Sequence, residues 1–214
     1  MKKIICLILL ATFIGNLSAQ QDNKAKEILD QVSQKNKSYH TIKALFTYSL
    51  DNAQEQIHET NKGQILLKGD KYSLQLMGVK TYFDGIIQYS FLEEAQEVTI
   101  RETDPEEEGS LNPATIFTLY ETGFKYKYIK EQLVKGKKIH SIDLFPIDLD
   151  RSFSRIRLMI DQENMQILSL KSVGKDGNNI TITVNKFTPN IPVKDSDFVF
   201  DTKANPDVEI NDLR

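Results

Sequence analysis

The sequence predicts a mainly-β α+β fold: a strongly curved antiparallel sheet of about 10–11 strands forming an unclosed half-barrel, with two or three helices over its concave face. Three observations predict it. Apolar and polar residues alternate along most of the chain after Tyr39. Turn-forming glycine, aspartate and asparagine separate the alternating stretches. Only a few short segments carry helical spacing. A sheet this large must curl to bury its apolar face, and so few helices cannot cover it as in a layered α/β fold.

The N-terminus is set apart from that pattern. Lys2 and Lys3 precede an apolar run from Ile4 to Ile14, and Asn16-Leu17-Ser18-Ala19 follows. This is the layout of a secretory signal peptide cleaved after Ala19. The run is too short to span a bilayer, which needs ~20 apolar residues. Residues 1–19 are therefore read as a signal peptide and 20–214 as a single domain. Cys6 is the only cysteine and lies inside the apolar run, away from the cleavage point where a lipid anchor would need it. The mature chain is expected to be untethered, with no disulfide, thiolate nucleophile or cysteine-based metal site. An exported chain without cysteines suits the bacterial periplasm.

The first helix is expected where Ala25, Ile28, Leu29 and Val32 recur among charged residues, capped by Asp22 or Asn23. The period then becomes two. Ile42, Ala44, Phe46, Tyr48 and Leu50 form one apolar series; Ile65 and Leu67, then Tyr72, Leu74 and Leu76, form the next. Ile87, Tyr89 and Phe91 follow, then Val98 and Ile100. Such alternation marks antiparallel strands with one wet face. Residues 102–112 break it with an acidic, turn-rich stretch. A short helix should follow, with Asn112 as cap, Pro113 in the first turn and Gly123 at the end. Ile116, Phe117, Leu119 and Tyr120 give it a broad apolar face, which suits a core helix or a movable lid equally. Strands resume through Phe124–Tyr128, Ile142–Leu144, Ile156–Ile160, Leu168–Leu170 and Ile180–Val184, with Asp176-Gly177-Asn178-Asn179 as a hairpin. Phe198 and Phe200 read as a last short strand before a polar tail.

Catalytic and metal-binding patterns are absent from the sequence. The three histidines, His40, His58 and His140, stand alone, and His58 and His140 are read as wet-face strand positions. No G-x-S-x-G elbow, phosphate loop or calcium loop occurs. Glu93-Glu94 and Glu106-Glu107-Glu108 read as solvated loop charge. The net charge of −3 gives no footprint for nucleic acid. What stands out is the apolar inventory, too large for the helices to cover. It fits either a solid core or a hollow one open to apolar ligands.

The order of motifs resembles the LolA/LolB-type outer-membrane lipoprotein carrier family, in its soluble LolA-like branch. Ile42-Lys43-Ala44-Leu45-Phe46 is similar to its first strand, and Lys62-Gly63-Gln64-Ile65-Leu66-Leu67-Lys68 to its G-x-L-x-L-K strand. Asp84-Gly85 with Tyr89 resembles its D-G-x-x-L-W strand, with tyrosine for tryptophan, and Asn112-Pro113 resembles the start of its apolar helix. Ile156–Asp161 with Ile167–Leu170, Asp176–Val184, Phe198–Phe200 and Asp212-Leu213-Arg214 complete the series. The resemblance covers nearly all of the mature chain.

It implies a periplasmic chaperone that is not an enzyme and has no cofactor. It would carry lipoprotein acyl chains from an inner-membrane lipoprotein-releasing ABC transporter to an outer-membrane acceptor, as a monomer. The cavity would be lined by Phe46, Tyr48, Leu67, Leu74, Leu76, Phe83, Tyr89, Phe91, Ile100, Leu158 and Ile182, under a lid of Ile116, Phe117 and Tyr120. Where many members have Lys-Arg-Pro, with an arginine associated with lid closure, this chain has Lys68-Gly69-Asp70. A carrier or sensor of another lipid or glycolipid, and an adaptor domain with a filled core, are the rival readings.

Overall fold

The computed structural model describes residues 22–103, 117 and 119–214. Helix α1 (22–37) precedes twelve strands. These are β1 (Ile42–Asn52), β2 (Ile57–Lys68), β3 (Lys71–Leu76), β4 (Val79–Phe83), β5 (Ile87–Leu92), β6 (Glu97–Glu102), β7 (Phe124–Val134), β8 (Lys137–Pro146), β9 (Phe153–Asp161), β10 (Gln166–Gly174), β11 (Asn179–Pro189) and β12 (Glu209–Asp212). All belong to one sheet in the order β12-β6-β5-β4-β3-β2-β1-β11-β10-β9-β8-β7. β12 runs parallel to β6; every other neighbouring pair is antiparallel. β7 and β12 are unjoined edges, so the barrel is unclosed.

Short hairpins enforce this order. Met77-Gly78 and Lys135-Gly136 both have positive φ at two successive residues. That geometry matches the twist of the flanking strands. Between Leu45 and Phe46 the β1–β11 register shifts, leaving Asn185 as the extra residue. A bulge there sharpens the local twist and helps the sheet curl. Gly63 has a steric purpose: a Cβ on it would lie 2.4 Å from the Phe46 ring, which therefore lies across β2.

The register assigns each side chain to a face, because directly paired residues share one. On the inner face, α1 buries Ala25, Ile28, Leu29 and Val32 against Tyr128, Ile142, Leu144, Ile156, Leu158, Ile160 and Leu170. Beside this lies a second inner cluster of Ile42, Ala44, Phe46, Ile65, Leu67 and Tyr72, joined by Phe117. The third cluster lies on the outer face. Tyr82 pairs with Ser73 and Tyr89, Lys80 with Phe91, and Phe91 in turn with Val98. The C-terminal segment crosses over this face and lays Phe200 and Val208 on Phe91, Val98 and Ile100.

Several expectations are corrected. Among the described residues there is one α-helix, not two or three; the second predicted helix appears only as a 3-10 turn at Leu119–Glu121, its expected start at 112–116 lying outside the described residues. Asp22 and Asn23 are already helical rather than capping. Twelve strands replace ten or eleven. Phe198 is not in a strand but ends a 3-10 turn at Asp195–Phe198, and the polar tail instead supplies β12. His140 is 3 % exposed, not wet: it shares parity with Ile142 and Leu144 and faces inward.

Candidate functional site

An apolar cavity of about 270 Å³ lies on the inner face, lined by Ala44, Phe46, Tyr48, Ile65, Leu74, Leu76, Phe117, Leu170, Ile180, Ile182 and Val184. Period-two alternation delivers ten of these eleven residues, from the adjoining strands β3, β2, β1, β11 and β10. The register stacks them in rows: Phe46 faces Val184 and Tyr48 faces Ile182 across β1–β11, while Ala44 faces Ile65 across β1–β2. The Tyr48 hydroxyl is the one polar side-chain group of the lining. Burial, helped by Glu59, raises its pKa above the usual tyrosine value, so it stays protonated and able to donate.

Phe117 closes the end of the cavity nearest the C-terminal half of α1. Its carbonyl accepts a hydrogen bond from Asn36 Nδ2 at 3.1 Å. The same amide lies 3.5 Å from the Tyr120 hydroxyl. Tyr120 is buried in the α1 cluster, and desolvation lifts its phenol far out of the titrating range. Glu121 completes the clasp through Ser33 and through Lys37 at 2.9 Å. Burial pushes the Glu121 carboxyl pKa upward, but the hydrogen bonds from Ser33 and Lys37 outweigh it and the net shift is downward.

The residues singled out from sequence fall in several places. Phe46, Tyr48, Leu74, Leu76, Ile182 and Phe117 meet at the cavity. Leu67 and Phe83 belong to the same inner cluster but lie outside the lining. Leu158 faces inward beneath α1, which fills that half of the concavity. Tyr89, Phe91 and Ile100 point to the opposite face, under the C-terminal segment, because the register of β4–β6 puts their parity outward. Tyr120 is packed under the helix side of the clasp, and Ile116 lies outside the described residues. Sequence reasoning missed Ala44, Ile65, Leu170, Ile180 and Val184, although each continues an alternating series.

Among the described residues, Lys68 and Lys71 both approach Asp195, at 2.9 and 3.4 Å, and so tie the C-terminal segment to the β2–β3 hairpin. A wider, open hollow of about 640 Å³ includes Thr47, Lys62, Gln64, Gln75 and Asn185, whose polar side chains make it unlike the apolar cavity. Among the described residues no group of three or more His, Cys, Asp or Glu could hold a metal ion.

Known proteins place this architecture. An uncharacterised conserved protein from Thermus thermophilus shares the fold, with a TM-score of 0.59 and 11% identity, covering 88% of this chain and 99% of that one. LprF from Mycobacterium bovis aligns at a TM-score of 0.49 with 12% identity, over 80% of this chain and 95% of that one. A LolA superfamily protein from Nitrosomonas europaea aligns at 0.45 with 10% identity, over 82% and 97%. No curated protein matches the sequence. The family model for the outer membrane lipoprotein carrier protein LolA matches residues 37–201, a span that runs from the end of α1 through all strands but β12. The chain belongs to the LolA family.

Proposed function

We propose that this protein is a periplasmic carrier that binds the acyl chains of lipoproteins in its inner-face cavity and ferries them from the inner to the outer membrane. Residues 1–19 would direct export and be removed. Cargo would be received from a lipoprotein-releasing ABC transporter and passed to an outer-membrane acceptor. Binding of this kind requires no reacting group, and the protein acts as a chaperone rather than an enzyme.

The observation that carries the reading is the cavity, walled by aliphatic and aromatic side chains with a single hydroxyl. Each methylene moved out of water contributes ~0.8 kcal/mol. A wall with so few polar anchors holds a hydrocarbon without locking it, so a more favourable apolar surface can take it over. At roughly 30 Å³ for a water-sized unit, 270 Å³ takes about nine units. The present shape therefore encloses part of one acyl chain, and a whole chain requires the Phe117 segment to swing away from α1 as a lid. The clasp of Asn36, Ser33 and Lys37 would then hold the segment closed, the task associated in many members with the Lys-Arg-Pro arginine.

The test is to extract bound material from protein purified from its own periplasm and identify it by mass spectrometry, alongside titration with a fluorescent acyl probe. Acylated cargo and a probe affinity lowered at least tenfold by Ala44→Phe are expected, since the added ring occupies the cavity. Lipid-free protein whose probe binding is indifferent to Ala44→Phe would sink the proposal.

A further inference from the structure

We infer that the outer face of β7–β10, with the loop that follows β8, is a docking surface for an anionic lipid bilayer. The register aligns Lys127, Asp143, Arg157 and Lys171 in one row across four strands. Strands lie ~4.8 Å apart, so the row is a compact basic ladder. Asp143 is the only carboxylate in it, and it is already engaged: Arg157 grips both its oxygens at 2.6 and 2.8 Å and Arg155 adds a contact at 3.3 Å. Lys125, Lys127, Lys130 and Lys171 project from the same face with no carboxylate within 4.0 Å among the described residues. Among the described residues, nothing on this face pairs with them.

The apolar half of the surface adjoins the ladder. Phe145, paired with Lys125, is 38 % exposed; Ile147 and Leu149 in the following loop are 59 % and 77 % exposed. Asp148 and Asp150 flank Leu149; Arg151 lies 3.7 Å from Asp148, and Lys175 donates to the Leu149 carbonyl. Projecting aliphatic tips beside unpaired lysines fit a bilayer better than a folded acidic protein. A bilayer accepts isolated apolar side chains without a matching pocket, and its anionic headgroups attract the lysines. The surface lies across the sheet from the cavity, so docking does not depend on the cavity being filled.

Flotation of the cargo-free protein with vesicles tests this directly. Vesicles of equal parts phosphatidylglycerol and phosphatidylcholine should retain it at about 50 mM salt and release it at about 500 mM, where screening is nearly complete. Pure phosphatidylcholine should not retain it. The double variant Lys127→Gln/Lys171→Gln should lower partitioning roughly 25-fold, at about fivefold per lysine, and Ile147→Ser/Leu149→Ser should lower it independently. Ala44→Phe, which lowers acyl-probe affinity at least tenfold if the carrier reading holds, should leave vesicle binding unchanged. Absence of binding to anionic vesicles, or binding indifferent to the lysine pair, overturns the inference and leaves an acidic protein as the partner for the same side chains; neither result bears on the cavity.

Discussion

His140 shows how one buried polar residue makes the fold sensitive to pH. It sits on the inner face with its Nδ1 3.3 Å from the Tyr128 hydroxyl, and Lys24 of α1 lies over the Tyr128 ring at 4.1 Å. Desolvation lowers its pKa below 6.5; Lys24 adds to the effect and Glu131, its partner across β7–β8, opposes it. A histidine held neutral in the fold takes up its proton more readily when unfolded. Its stabilising contribution is therefore complete above pH 6.5 and declines as pH falls through 6.5 towards the depressed value. The urea midpoint of the protein should drop between about pH 7.5 and about pH 5.5, and His140→Gln should flatten that slope; an unchanged slope would show that the imidazole titrates as it does in water. Asp143 makes a different demand. Its side chain is 2 % exposed while Arg157 is about one-third exposed. Asp143→Ala should cost about 2 kcal/mol in chemical denaturation, less than for a wholly buried pair because the freed guanidinium groups still reach solvent. Neither role is legible in the sequence: a lone histidine in a strand reads as wet even though Ile142 and Leu144 share its parity, and nothing local tells that Asp143 will be covered by two arginines from β9.

At the scale of elements, the 3-10 turn at Leu119–Glu121 and helix α1 act as one unit joined by side chains. The sequence shows the apolar periodicity of both, because apolar spacing is a local signal. It cannot show that Asn36, a buried polar residue continuing the apolar stripe after Val32, and Ser33 and Lys37 beside it are the groups that hold the second segment, since their partners lie more than eighty residues away. Asn36 is the best place to loosen the joint. Asn36→Ala removes the bond to the Phe117 carbonyl and should cost about 1–2 kcal/mol. Hydrogen exchange at residues 119–121 should accelerate by roughly tenfold while the amides of β8–β10 keep their protection. If the segment works as a lid, the acyl probe should also enter Asn36→Ala faster than the unaltered protein. Acid also acts on the same joint: the Glu121 pKa lies below 4.5, so its contribution is present above 4.5 and is lost as pH falls through the lowered value, whereas the loss from His140 begins at 6.5.

The whole molecule is a single curved sheet that is apolar on both sides, in different places. Alternation along each strand is visible from sequence and marks which residues share a face, but it does not say which face is inside. That depends on register between strands and on what covers them. Over β1–β3 and β8–β11 the apolar series faces α1 and the cavity; over β5 and β6 it faces the C-terminal segment, which carries Phe200 to within 5.0 Å of the Phe91 ring centroid. Without that information the alternation alone assigns Tyr89, Phe91 and Ile100 to the cavity. The two layers share a sheet, but among the described residues Phe200 and the cavity wall belong to separate apolar clusters. Phe200→Ala should therefore cost about 3–5 kcal/mol without altering acyl-probe affinity. Ile182→Ala, on the cavity wall, should cost less than a solid-core substitution because the space beside it is already open, and it should change probe affinity. Substitutions this far apart and without common neighbours add to within about 0.5 kcal/mol. A double variant whose loss of stability departs from the sum by more than that would mean that the outer strap and the cavity wall are coupled through the sheet, and that cargo entering on one face would be felt on the other.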